Sequence, residues 1–189
     1  MRRLTERLNL TPLGPEHADE LWRLHRDPGV AAWWDGALTR DEAREVASRM
    51  GEGWQSHGVH KWIAHDRVTG TLVGRGGLSR TEVPERSGGS STLEVGWIVR
   101  EPLWGRGYAT EIGAESLRFA ADVLEARQVV AFTEVHNIRS RAVMERLGMV
   151  YDRKIRRPGL VAGKEGVHDD APFALYVADF TEMSAKPPS

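Results

Sequence analysis

Between Trp104 and Thr110 the chain reads Trp-Gly-Arg-Gly-Tyr-Ala-Thr, directly ahead of a helical pattern. These are residue types suited to holding an anion. Gly105 and Gly107 let the backbone approach a ligand closely and take conformations closed to other residues. The first amides of a helix have no internal partners and carry partial positive charge, so an anion there satisfies donors and dipole together. Arg106 adds a mobile cation at the rim. The stretch is not a Walker loop, because Gly-Lys-Ser/Thr is missing. It is a poor dinucleotide fingerprint, because the third glycine is absent, with Thr110 in its place and Glu111 following. On these residues alone it reads as either an anion site or a turn that only connects strand to helix.

Other side chains could move a proton, donate a hydrogen bond or wall a pocket. Asn137 and Ser140 stand three apart at the head of a short helix, where both also suit capping. Glu94 lies on a strand, where an ion pair or a strand-end hydrogen bond is the alternative to a chemical role. His168, Asp169 and Asp170 form a polar loop just before the last strand; the histidine titrates in a useful range, and plain solvation is the alternative. His136 reads as a strand-end residue. Trp33, Trp34 and Asp35 fall in an irregular aromatic segment suited to a pocket wall, whereas Trp54 sits on an apolar helix face and reads as core.

The elements that would position these groups are legible in the periodicities. Arg7 to Leu13 alternates as a half-buried strand, and Pro15 to Arg26 reads as a helix stopped by Asp27-Pro28-Gly29, with Val30 to Gly36 irregular. Thr39-Arg40-Asp41-Glu42 is a capping box opening a helix to about Gln55. Strands at 61–65 and 71–76 flank a hairpin turn, and the polar, glycine-rich stretch from Glu82 to Ser91 reads as a loop. Residues 93–99 form a strand, Tyr108 to Val123 a helix, Gln128 to Val135 a strand, and Asn137 to Leu147 a helix closed by Gly148. Strands near 150–156 and 173–179 complete one α/β domain, residues 1–180, followed by a tail at 181–189.

Bulk properties narrow the classes. The chain has 189 residues, 40% hydrophobic and 28% charged, an ordinary globular mix. A formal net charge of -1 gives no basic field to draw nucleic acid. The absence of cysteine excludes disulfides, thiolate zinc sites and a covalent acyl-cysteine intermediate. No apolar run has the length of a signal peptide or of a membrane span. The expectation is a cytoplasmic protein with neither nucleic-acid nor membrane partner, and with no metal.

Glu94-Val95-Gly96-Trp97-Ile98-Val99 followed by Trp104-Gly105-Arg106-Gly107-Tyr108-Ala109-Thr110-Glu111 resembles the core motif of the GCN5-related N-acetyltransferases. Asn137-Ile138-Arg139-Ser140-Arg141-Ala142-Val143-Met144-Glu145-Arg146-Leu147-Gly148-Met149, Leu10-Thr11-Pro12-Leu13 and Pro15-Glu16-His17-Ala18 are similar to the RimJ/RimL-type branch, which acts on ribosomal-protein N termini. The resemblance covers roughly residues 7 to 180 and rests on several motifs in order, more specific than any one alone. Trp104 departs from the superfamily pattern Gln/Arg-x-x-Gly-x-Gly/Ala at its first position, but contacts to phosphate there are mostly backbone amides.

The resemblance implies a mixed, mostly antiparallel sheet with a splayed parallel strand pair and helices on both faces. It implies acetyl-CoA as acyl donor and direct transfer to a primary amine, on a protein N terminus or a small molecule. The backbone of Trp97, Ile98 and Val99 would pair with the pantetheine arm, an N–H at Ile98 or Val99 polarising the thioester carbonyl. Residues 104–110 would hold the pyrophosphate. Asn137 would meet a pantetheine amide, and the Ser140 hydroxyl would lie near sulfur as donor to the leaving thiolate. The tyrosine that takes this role in other branches is absent after Asn137. Glu94 is the first candidate base, through a water, and His168-Asp169-Asp170 the second. Trp33, Trp34, Asp35, His168 and Asp169 are the acceptor-side candidates. Homodimers are frequent in the branch. A succinyl-type donor, or a non-catalytic acyl-CoA sensor on the same fold, are the alternatives.

Overall fold

The strand signals assemble into one eight-stranded sheet in the computed structural model, which describes residues 1–33, 36–83 and 92–181. The strands are β1 (Arg3–Leu4), β2 (Leu8–Pro12), β3 (Lys61–Asp66), β4 (Leu72–Thr81), β5 (Thr92–Val99), β6 (Gln128–Glu134), β7 (Val150–Leu160) and β8 (Val167–Asp179). Their spatial order is β1-β2-β3-β4-β5-β6-β8-β7. Every pairing is antiparallel except β5 with β6, which is parallel and spans only Leu93 with Val129 and Glu94 with Val130. Beyond Glu94 the two strands part. Of the expected tail, 182–189 lies outside the described residues, as does 84–91 of the expected loop.

Helices cover both faces, and strand alternation decides which residues meet them. Trp62, Leu78, Val95 and Val99 face α4 (Tyr108–Asp122) and pack with its Ile112, Leu117 and Phe119. Ile63, one residue out of phase with Trp62, faces the other side. There it packs with Leu21 of α1 (Ala18–His25) and Ala47 and Met50 of α3 (Arg40–His57). The capping box forms: Glu42 N–H donates to Thr39 Oγ1 and Thr39 N–H to Glu42 Oε2.

Three local expectations are corrected. The first helix does stop before Asp27, since α1 ends at His25, but Pro28 opens a new helix, α2 (Pro28–Ala31). Its fixed φ suits a helix start and its missing N–H costs nothing there, so Val30 and Ala31 are helical and not irregular. Strand β4 runs past residue 76 to Thr81 despite its glycines. A Cβ at Gly76 would lie 2.4 Å from Ile112 Cγ2, so this glycine admits α4 against the sheet rather than breaking the strand. Finally, β7 reaches Leu160 and β8 begins at Val167, so His168, Asp169 and Asp170 lie in a strand and not in a loop. The turn falls instead at 161–166, where Gly163 and Gly166 take φ of 76° and 71°. Backbone pairing of Gly159 with His168 and of Leu160 with Val167 carries this polar arm, and side-chain hydrophobicity therefore does not mark it.

Candidate functional site

Where β5 and β6 part, a cleft of about 1020 Å³ opens. One end is the glycine turn. Gly105 and Gly107 hold φ of 75° and 82°, left-handed values that strain any other residue. Gly107 is the N-cap of α4 and has no side chain to compete for its first amides. Trp104, Gly105, Gly107, Tyr108, Ala109 and Thr110 line the cleft; the exposed Arg106 side chain does not. Trp104 has a function of its own here. Its indole Nε1 donates to Val99 O at 2.7 Å, fastening the turn to the end of β5. Its ring also lies 4.9 Å below the guanidinium of Arg139, on the opposite lip.

The walls come from the two parted strands. Trp97, Ile98 and Val99 line one side on a stretch of β5 that has no β6 partner. Asn137 and Ser140 line the other, at the head of α5 (Ile138–Arg146), where Asn137 Oδ1 accepts from Ser140 N–H at 3.1 Å. Capping and cleft-lining thus coexist in one pair.

The far end carries buried charge. Glu94, Lys61 and Arg75 come from adjacent strands on one face of the sheet. Lys61 is 7% exposed and its Nζ donates to Gly77 O at 3.1 Å. A Cβ at Gly96 would lie 3.3 Å from Lys61 Nζ and 3.5 Å from Glu94 Oε1, so ammonium and carboxylate converge over this glycine. Burial pushes Lys61 down to about 8, against the pull of Glu94 and with the help of Arg75. Burial likewise pushes Arg75 down to about 10, with Glu94 opposing. His25 and His60 fall to about 3 and about 4, chiefly by burial, and stay neutral near pH 7.

Trp33 also lines the cleft and stacks on His136, ring centroids 5.3 Å apart, tying the end of α2 to the β6–α5 connection. Trp34 and Asp35 lie outside the described residues. Trp54 packs on Trp62 and Phe119 away from the cleft, in keeping with a core role. On the β7–β8 arm Pro158, Gly159, Leu160 and Val167 line the cleft, whereas His168 and Asp169 do not. His168 Nε2 is buried without a hydrogen-bond partner among the described residues, and Asp170 pairs with Arg156 at 3.4 Å. The structure also brings in residues that sequence reasoning passed over: Lys61, Arg75, Arg139 and Glu134, whose Oε2 accepts from Thr133 Oγ1. Lys61 had one weak signal, a charge at the head of the apolar run Trp62-Ile63-Ala64.

A mixed sheet parted at its parallel pair, with a glycine turn and helix N-terminus closing the cleft, defines a protein built to hold an elongated anionic ligand against a strand edge. Comparison with known proteins gives the family. The model for the acetyltransferase (GNAT) domain matches residues 7–150, and the chain belongs to this family. It is 28% identical over 134 residues to the protein YkkB of Bacillus subtilis, covering 71% of this chain and 76% of that one. It is 32% identical over 152 residues to the FsC-acetyl coenzyme A-N(2)-transacetylase of Aspergillus fumigatus, covering 78% of this chain and 64% of that longer protein. The crystal structure of an acetyltransferase from Agrobacterium tumefaciens superposes with a TM-score of 0.71 at 23% identity, over 94% of each chain, which establishes likeness of fold.

Proposed function

We propose that the protein is an acyl-CoA-dependent N-acyltransferase that passes acetyl from acetyl-CoA to a primary amine, on a protein N terminus or a small molecule, in one ternary complex. The observation that carries this is the parting of β5 from β6 directly above the Gly105–Gly107 turn. It leaves a strand edge for the pantetheine arm and unpartnered helix amides for the pyrophosphate. The transacetylase name of the Aspergillus relative agrees with N-acetyl transfer.

In this reading the N–H of Ile98 or Val99 polarises the thioester carbonyl, and Asn137 holds the arm. Glu94 takes the proton of the attacking amine through a water, and the Ser140 hydroxyl supplies one to the departing thiolate. The amine nitrogen forms the new bond as the carbon–sulfur bond breaks, leaving an amide and a thiol. Trp33, Trp34 and Asp35 are assigned to acceptor recognition. Residues 1–180 form the catalytic domain. The motifs around Asn137 and Leu10 assign the chain to the RimJ/RimL-type branch, with a cytoplasmic location and a homodimer as the corresponding expectations. A thiol-release assay with acetyl-CoA against a panel of amines tests the reading. Turnover on at least one acceptor is expected; tight coenzyme binding with no turnover on any would make the protein a sensor instead.

A further inference from the structure

The glycine turn is held from outside the cleft by the segment that leads into β2. Arg7 Nη1 donates to Arg106 O at 2.8 Å, and its Nε and Nη2 both reach Glu111 Oε2 at 2.7 Å. Its guanidinium lies 4.4 Å over the Tyr108 ring, and Nη2 sits 3.4 Å from where a Cβ on Gly107 would be. The other oxygen of Glu111 accepts from Arg7 N–H at 2.8 Å and from Thr5 Oγ1 at 2.5 Å. Four hydrogen bonds and a further ion-pair contact therefore join residues 5–7 to the turn and to the first turn of α4, across about a hundred residues of sequence.

Two consequences follow from elementary geometry and charge. In a trans peptide the C=O and the next N–H point in opposite directions. Drawing Arg106 O towards Arg7 therefore turns the Gly107 N–H away from Arg7. Glu111, in turn, favours the helix dipole but would repel an anion at the same helix end. Burial alone would raise its pKa; hydrogen bonds from Thr5 and Arg7, and the charge of Arg7, outweigh that and hold it below the usual carboxylate range. The carboxylate is ionised at neutral pH, with Arg7 set directly against it.

We propose that Arg7 and Glu111 are positioning residues of the coenzyme site, which fix the Arg106–Gly107 peptide and so set affinity for the pyrophosphate without touching it. This rests on the reading that the turn receives acyl-CoA. The test is calorimetric titration of coenzyme A, and of S-acetylpantetheine, which has the arm but no pyrophosphate, into wild type, Arg7→Ala, Arg7→Lys and Glu111→Gln. Arg7→Ala is expected to bind coenzyme A at least tenfold more weakly, and Glu111→Gln about threefold to tenfold. Arg7→Lys should recover only part of the loss, because one ammonium cannot serve Arg106 O and Glu111 as the fork does. Acetylpantetheine affinity should stay within twofold in every variant. Folded variants that bind coenzyme A within twofold of wild type overturn the proposal, as does an equal loss for acetylpantetheine, which would mean that the whole cleft has collapsed. Should Arg7→Ala fail to fold, Glu111→Gln carries the test, since it keeps an oxygen for Thr5 and the Arg7 amide. A wild type that binds no coenzyme A refutes the assignment of the turn itself, a different failure from that of the brace.

Discussion

Replacing Gly107 with alanine isolates the backbone contribution of the glycine turn to the proposed coenzyme site. The residue has φ 82° and ψ 0°, and an added Cβ would meet only Arg7 Nη2, at an ordinary contact distance of 3.4 Å. The substitution therefore adds conformational strain without a clash. An L-residue in this left-handed region costs about 1–2 kcal/mol. That strain can be expressed in two ways. If the chain escapes by leaving the left-handed conformation, the binding-competent turn becomes a minor state. Apparent affinity for coenzyme A then falls by the same factor, about 5- to 30-fold. If packing holds the turn in place, the strain appears as lost stability instead, about 2–8 °C in Tm for a domain of this size. Calorimetry with coenzyme A and thermal unfolding of the same preparation measure both, and the two losses together should account for the strain. Gly105→Ala, at φ 75° with open space around its Cβ position, should behave alike. Affinity within twofold and Tm within a degree of wild type, for both variants, would refute the claim that these glycines set the turn.

The other expectations concern the chemical end. Ser140→Ala should lower kcat about tenfold or more while leaving the KM for acetyl-CoA within twofold; unchanged turnover would leave Ser140 as a helix-start residue only. Glu94→Gln should lower kcat by about 10²-fold and flatten the rise of rate with pH, and wild-type turnover would move the base elsewhere. Lys61 bears on stability. Its ammonium is held at about 8 when folded, against roughly 10.4 unfolded, so the folded state sheds the proton first. The penalty is fully present below pH 8 and is relieved as pH rises towards 10.4. The gain is on the order of 3 kcal/mol. In Lys61→Met this alkaline gain should vanish from a urea-unfolding series between pH 7 and 10, and a variant that keeps the wild-type slope would refute the assignment to Lys61.

The glycine turn at the end of the cleft was legible in the sequence because its physics is local. Two glycines, a following helix and a preceding strand are contiguous, and each constrains backbone dihedrals that a short motif records. Asn137 and Ser140 were legible for the same reason. The β7–β8 arm was not, because strand pairing there is satisfied by backbone groups while residues such as His168 and Asp169 read as loop. The Lys61, Arg75 and Glu94 grouping was equally hidden. Its members come from three strands and are neighbours only through register, Lys61 opposite Gly77 and Gly77 opposite Gly96. Arg7 and Glu111 stand further apart still, and nothing in either local pattern points to the other.

The placement of Lys61 bears on which residues serve the fold and which serve the site. A lysine that is pushed down mainly by its own burial destabilises the folded chain at neutral pH, and replacing a buried ion pair with apolar side chains is often neutral or stabilising. Packing alone would favour an apolar residue at this buried position of β3. The charge is nonetheless directed, through its bond to Gly77 O, to the same few ångströms above Gly96 that Glu94 occupies. Gly96 is the right size for this, since any side chain there would crowd the ammonium. In the proposed reaction this cost to the fold would fall beside the candidate base, and Lys61 would orient Glu94. On that reading an incoming amine that used Glu94 would share the carboxylate with an ammonium already in place, and the Lys61–Glu94 spacing would limit how large and how charged the acceptor's reactive end can be.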